Sequence, residues 1–232
     1  MKVRGLLIVS MLLAAVMAIA GGYAAALLAP GTQLPVHWNE LGEVNGTAPA
    51  LVALLLPAAM VFGCALLFAL IPLIEPLQDR LDGSAPVLRT VWIGILALGP
   101  AIEVAVGAPG FGWTLPIFLP GLAAGAMLVM IGNVLPKSRP GFFVGIRTPW
   151  AIMDTDNWIA THRLGGKLMV VAGMVLIVAA VVPLGHARDL VVPAALFAAV
   201  VPPVVYSWWL WQRRPRTAGE VMPGGEVTPG GS

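Results

Sequence analysis

Three histidines, one cysteine and eleven acidic residues are what this 232-residue chain offers for metal binding or acid–base chemistry. Their placement argues against both. His37 and His186 fall in connections on one side of the apolar segments described below and His162 on the other, so they cannot share an ion. A single cysteine forms neither an internal disulfide nor a cysteine-based zinc cluster, and Cys64, between Phe62 and Leu66 in an apolar run, reads as a small packing residue. Asp154, Asp156 and His162 lie close together, but Asp154-Thr155-Asp156-Asn157 ahead of Trp158-Ile159-Ala160 reads first as a helix cap. No His-Glu-x-x-His, Gly-x-Ser-x-Gly or Gly-x-x-x-x-Gly-Lys pattern occurs. The expectation is a protein without catalytic residues, resident metal or cofactor.

The elements that must position these residues belong to a membrane. The chain is 59% hydrophobic and 10% charged with a mean hydropathy of +0.91, whereas a soluble domain carries about 25% charged residues. Crossing about 30 Å of hydrocarbon takes roughly 20 apolar residues. Six stretches qualify: Gly5 to Ala29, Leu51 to Ile74, Thr90 to Gly107, Thr114 to Ile131, Leu168 to Leu184 and Leu190 to Leu210. The expected fold is all-α, a polytopic membrane protein with six transmembrane helices. Glu103 is the one ionisable residue within those stretches. It reads either as an outer-face ligand for a cation or cationic partner, or as a carboxyl group reaching the interface or hydrogen-bonded between helices. Prolines at 57, 72, 100, 116, 120, 183, 193, 202 and 203 read as kinks in packed helices, and Gly121 with Gly125 as a site of close helix contact.

Lys and Arg concentrate on the cytoplasmic side of membrane proteins. Lys2, Arg4, Arg80, Arg89, Lys137, Arg139, Arg147, Arg163, Lys167, Arg213, Arg214 and Arg216 all fall on one side of the six stretches, and Arg188 on the other. Both termini are therefore expected inside a plasma membrane. The basic residues report topology, so a sequence pI near 9.0 does not imply direct nucleic-acid binding. The first apolar run has a second reading as a cleaved signal peptide, with Tyr23-Ala24-Ala25-Ala26 as the cleavage region, although it continues well past the length of a signal-peptide core. The expected organisation is a two-span unit at 1–74 with an outer loop at 30–50, a four-span unit at 75–211, and a disordered cytoplasmic tail at 212–232.

Two connections carry functional signal. The outer loop runs Leu34-Pro35-Val36-His37-Trp38-Asn39-Glu40-Leu41-Gly42-Glu43-Val44-Asn45-Gly46. Asn45-Gly46 favours a tight turn with positive φ, and His37-Trp38 sets an indole at the membrane surface. Two acids and no Lys or Arg would suit a basic or amphipathic peptide; an interfacial anchor plus turn accounts for the same residues. His37, Trp38, Asn39 and Glu103 are the outer-face ligand candidates. The inner loop, 132–167, carries Phe142, Phe143, Ile146, Trp150, Trp158 and Ile159, more apolar surface than a tether requires. A short amphipathic helix over Thr155–Leu164 is expected to lie along the inner surface ahead of the fifth span, with Trp158, Ile159 and His162 on one side. Phe142, Phe143, Arg147, Trp150, Trp158, His162 and Arg163 are the candidates for binding a partner. Arg147 and Trp150 could equally be fold anchors, Arg147 pairing with Asp154 or Asp156.

Gly132-Asn133, then Gly145-Ile146-Arg147-Thr148-Pro149-Trp150, then Trp158 with Thr161-His162-Arg163 and Gly165-Gly166 resemble the SdpI family, over about residues 115–190. His37-Trp38-Asn39 with Gly42 resembles the small membrane domain that often precedes it. The resemblance implies an immunity-type membrane protein that confers resistance to, or senses, a secreted toxic peptide and draws a DNA-binding repressor to the membrane. The alternative is a small transporter or exporter of an apolar or cationic substrate. The implied partners are the lipid bilayer, a peptide outside and a repressor inside.

Overall fold

The computed structural model describes residues 3–39, 43–74, 78–115, 118–140 and 145–214. The chain runs through α1 (Arg4–Leu27), a hairpin of β1 (Gln33–Trp38) and β2 (Val44–Pro49), α2 (Ala50–Ile74) and α3 (Gln78–Gly107). It continues through α4 (Leu119–Val134), the short α5 (Pro149–Met153), α6 (Thr155–Val181) and α7 (Ala187–Gln212). Six of these helices are long and apolar enough to cross a membrane. They pack in the order α1–α2–α3–α4–α6–α7, so the bundle has one end bearing the hairpin and another bearing the 138–154 connection.

The helices invert the pattern of a soluble bundle. On α1, Leu12, Val16, Ile19 and Tyr23 face outward, each more than 60% exposed, while Ser10, Ala14, Met17 and Gly21 face inward. Lipid tails solvate large apolar side chains as well as a protein core does, so the interior favours small residues that let backbones approach. Trp92 on α3 is the large exception. Its indole Nε1 donates to Ser10 Oγ at 2.8 Å, and Ser10 Oγ donates to Leu6 O at 2.6 Å, tying α3 to α1 within the bundle.

Contact between α4 and α6 is closest at glycines. A Cβ on Gly125 would lie 2.7 Å from Gly173 O, and one on Gly132 would lie 2.6 Å from Gly166 O. Both pairs obey one antiparallel register with a seven-residue step on each helix. Gly125 thus meets α6, as its small-residue reading implied, whereas Gly121 sits against Phe118 and Ala180.

Several boundaries differ from the sequence reading, the third helix starting at Gln78 and not at Thr90. The fourth span begins at Leu119 and not at Thr114, because Pro120 in the first helical turn suits a start there. The short helix before the fifth span is Pro149–Met153, and Thr155–Leu164 continues without a break into α6. Asp154 fixes that start, its Oδ1 accepting from the backbone N–H groups of Asp156 and Asn157 at 3.0 and 3.3 Å. Asn45-Gly46 is not the turn between the strands: β1 ends at Trp38 and β2 begins at Val44, so both residues lie within β2, with Gly46 opposite His37. Asn45 Oδ1 is engaged by His37 Nδ1, and a Cβ on Gly46 would stand 3.0 Å from His37 Cβ. Close strand approach, not positive φ, accounts for that glycine. The tail beyond Arg214 lies outside the described residues.

Candidate functional site

At the end of the bundle opposite the hairpin, residues 145–150 form a strap across α6 and α7. Gly145 starts it with φ of 117°, and a Cβ there would lie 2.5 Å from His162 Nε2 and 2.7 Å from the Trp158 ring, so only glycine fits. The next residue closes the strap onto α6: Ile146 N–H donates to His162 Nε2 at 2.9 Å. Because Nε2 accepts, the imidazole proton resides on Nδ1 and is donated to Trp158 O at 2.8 Å. His162 and Trp158 stack at 4.0 Å between centroids, and Trp158 Nε1 donates to Ser138 O and Oγ, both at 3.2 Å.

Thr148 anchors the far end of the strap. Its hydroxyl caps α5, accepting from Ala151 N–H at 3.3 Å, and lies 3.0 Å from Ser207 Oγ on α7. Ser207 Oγ donates to Asn157 Oδ1 at 2.7 Å, Thr161 Oγ1 donates to the same oxygen at 3.0 Å, and Asn157 Nδ2 donates to Ser207 O at 2.9 Å. Thr148, Asn157, Thr161 and Ser207 are all buried. This mutual satisfaction makes a polar cluster tolerable where water is excluded. Trp150 stacks on Trp211 of α7 at 5.8 Å, and its buried Nε1 has no hydrogen-bond partner among the described residues. Asp154 Oδ2 lies 3.6 Å from Arg214 Nε.

The inner-loop candidates therefore divide. Trp158 and His162 are fully enclosed, because their faces of α6 hold the strap; they shape a surface without being part of one. Arg147 and Arg163 are exposed and Trp150 is half-buried. Phe142 and Phe143 lie outside the described residues. Asn157, Thr161 and Ser207 were not among the candidates. Their signal was polarity out of place, Ser207 above all, a lone hydroxyl between Tyr206 and Trp208 in an apolar stretch.

At the hairpin end, a cleft of about 710 Å3 opens between the hairpin, residues 108–115 and 118–120, and the facing ends of α6 and α7. Trp38, Trp113, Phe118, Pro183 and Arg188 line it. Trp38 meets Phe118 edge-on at 6.4 Å, and Arg188 Cζ lies 4.7 Å above the Phe118 ring. Trp38 is the outer candidate that reaches the cleft. His37 is engaged with Asn45, and Asn39 with Glu43, whose Oε2 accepts from Asn39 Nδ2 at 2.8 Å. Glu103 sits elsewhere, half-buried where α1, α2 and α3 meet, its Oε1 directed at the bare Cα of Gly21. Arg188 was read only as the lone outer cation.

Six apolar helices with an inverted interior, a hairpin at one end and a clamped strap at the other define a multi-pass membrane protein. Residues 137–207 match the SdpI/YfhL protein family, a stretch that contains the strap, α6 and most of α7. The chain is 33% identical over 58 residues to the immunity protein SdpI of Bacillus subtilis (strain 168), covering 25% of this chain and 28% of that protein. No solved structure matches. Through this region the chain is similar to the SdpI/YfhL family, and it spans little more than a quarter of the length of the curated relative.

Proposed function

We propose that this chain is a non-enzymatic immunity or sensing protein of a plasma membrane, with both termini in the cytoplasm. Its hairpin end faces outward and meets a secreted toxic peptide; its strap end faces inward and engages a partner such as a DNA-binding repressor. The observation that carries the reading is the strap. It lies within the family-matched region, its interior is occupied by internal hydrogen bonds, and its Arg147, like Arg163 on α6, is exposed. Such a segment is a rigid display surface. The twelve-to-one division of Lys and Arg supports the orientation.

Deleting the gene from its host and challenging the cells with size-fractionated peptides from that host's spent medium tests this function. The expected result is a fraction that kills the deletion strain and spares strains complemented with the intact chain or with Glu103→Gln. Equal growth of deleted and complemented strains in every fraction refutes the reading. Protection lost with Glu103→Gln at unchanged protein level points instead to a transporter.

A further inference from the structure

We infer that the 710 Å3 cleft beneath the hairpin is a peptide-docking site for a short apolar segment that carries a carboxylate, with Arg188 as the group that reads the charge. The inference rests on the immunity reading and names the ligand chemistry of its outward end. The volume falls within the roughly 300–1,000 Å3 of ordinary ligand pockets. It is too small for a folded partner and ample for a few residues of chain.

Three features of the lining select the occupant. Trp38, Trp113 and Phe118 supply apolar faces to a branched or aromatic side chain. Among the described residues that line the cleft, Arg188 is the only ionisable one, and its position over the Phe118 ring holds the guanidinium at the cleft wall, which lowers the entropy cost of meeting a carboxylate. The third feature is backbone. Between Gly112 and Leu115 the chain forms neither helix nor strand, and α6 ends in the cleft wall, where the last carbonyls of a helix lack intrahelical partners. One of them, Ala180 O, accepts from Phe118 N–H at 3.1 Å. Backbone polar groups beside aromatic rings suit a peptide, which offers its own N–H and C=O groups. A lipid acyl chain would leave them unpaired.

The test uses the full chain in neutral phosphatidylcholine nanodiscs. The probe is a fluorescent hexapeptide of three alanines followed by isoleucine, leucine and phenylalanine, with a free carboxyl terminus, and the same peptide amidated. Expected are saturable binding of the free acid above that to empty nanodiscs, and at least tenfold weaker binding of the amide. Arg188→Gln should weaken the free acid at least tenfold and leave the amide unchanged, while Arg4→Gln, exposed at the start of α1 at the opposite end, changes neither. Should Arg188→Gln fail to fold, Trp113→Ala, at a 66% exposed position, is expected to weaken both peptides alike. Equal binding of acid and amide, no saturable binding, or displacement by lysophosphatidylglycerol but not by unlabelled peptide overturns the inference. In the killing assay, protection that survives Arg188→Gln removes the cleft and leaves the immunity reading standing; no protection by the intact chain removes that reading itself.

Discussion

Replacing Gly132 or Gly166 with alanine tests whether the α4–α6 seam holds the family-matched region together. A Cβ at either position would stand 2.6 Å from the carbonyl oxygen of the other glycine, where ordinary contact begins at 3.4 Å. The helices must therefore part by about 0.8 Å, and because the obstructing atom is backbone, no side-chain rotation relieves it. Parting loosens the second glycine pair as well, since Gly125 and Gly173 sit in the same register two turns away. Overpacking of this kind typically costs about 1–3 kcal/mol. Gly63→Ala on α2 is the matched control: nothing lies within 4 Å of a Cβ there, so alanine's better helix propensity acts unopposed and stabilises by up to about 1 kcal/mol. Reversible unfolding in mixed micelles should place Gly132→Ala and Gly166→Ala at least about 1 kcal/mol below Gly63→Ala, within the range expected for overpacking. The double variant should lose less than the sum, because one separation accommodates both methyl groups. Equal stability of Gly132→Ala, Gly166→Ala and Gly63→Ala would refute the seam.

Removing the imidazole that holds the strap, His162→Ala, leaves the Ile146 N–H without its acceptor, a loss of about 1–3 kcal/mol for a buried donor. Hydrogen exchange at residues 145–148 should quicken by tenfold or more while α1 and α2 keep their protection; unchanged exchange at Ile146 would show that the strap is held another way. In the buried polar cluster, Asn157→Leu and Ser207→Ala should each destabilise, with a coupling of at least about 0.5 kcal/mol in a double-mutant cycle because the Ser207 hydroxyl donates to the Asn157 side-chain oxygen. Strict additivity in that cycle would count against the network.

The six helices were legible because a membrane imposes one dominant constraint, length of apolar run, and their ends were less so because caps and prolines decide them. Pro120 moved one start, and Asp154 turned an expected surface helix into the first turns of α6. Site residues were legible in type more than in role. Trp158 and His162 announced themselves as polar-edged rings in an unusual loop, but a single helix cannot show that its neighbour covers them. That required knowing that the strap brings Gly145 and Ile146 over them, as α7 brings Ser207 to Asn157, fifty residues away in sequence. Of the glycine seam only Gly125 was legible, paired with Gly121, and spacing along one helix does not say which helix it meets.

The family-matched stretch begins at residue 137, after α4 has ended, yet its packing depends on what precedes it. Gly166 and Gly173 of α6 rest on Gly132 and Gly125, and Trp158 reaches back to Ser138 at the edge of the match. Ile146 in turn lies against Gly165, where a Cβ would meet its Cδ1 at 2.5 Å, so strap and seam share one face of α6. A shift of α4 relative to α6 must therefore be felt at the strap. At its other end α4 begins at Leu119 beside the cleft, next to Phe118, whose N–H is bonded to Ala180 of α6. One helix pair thus connects the aromatic cleft under the hairpin with the clamped strap at the opposite end.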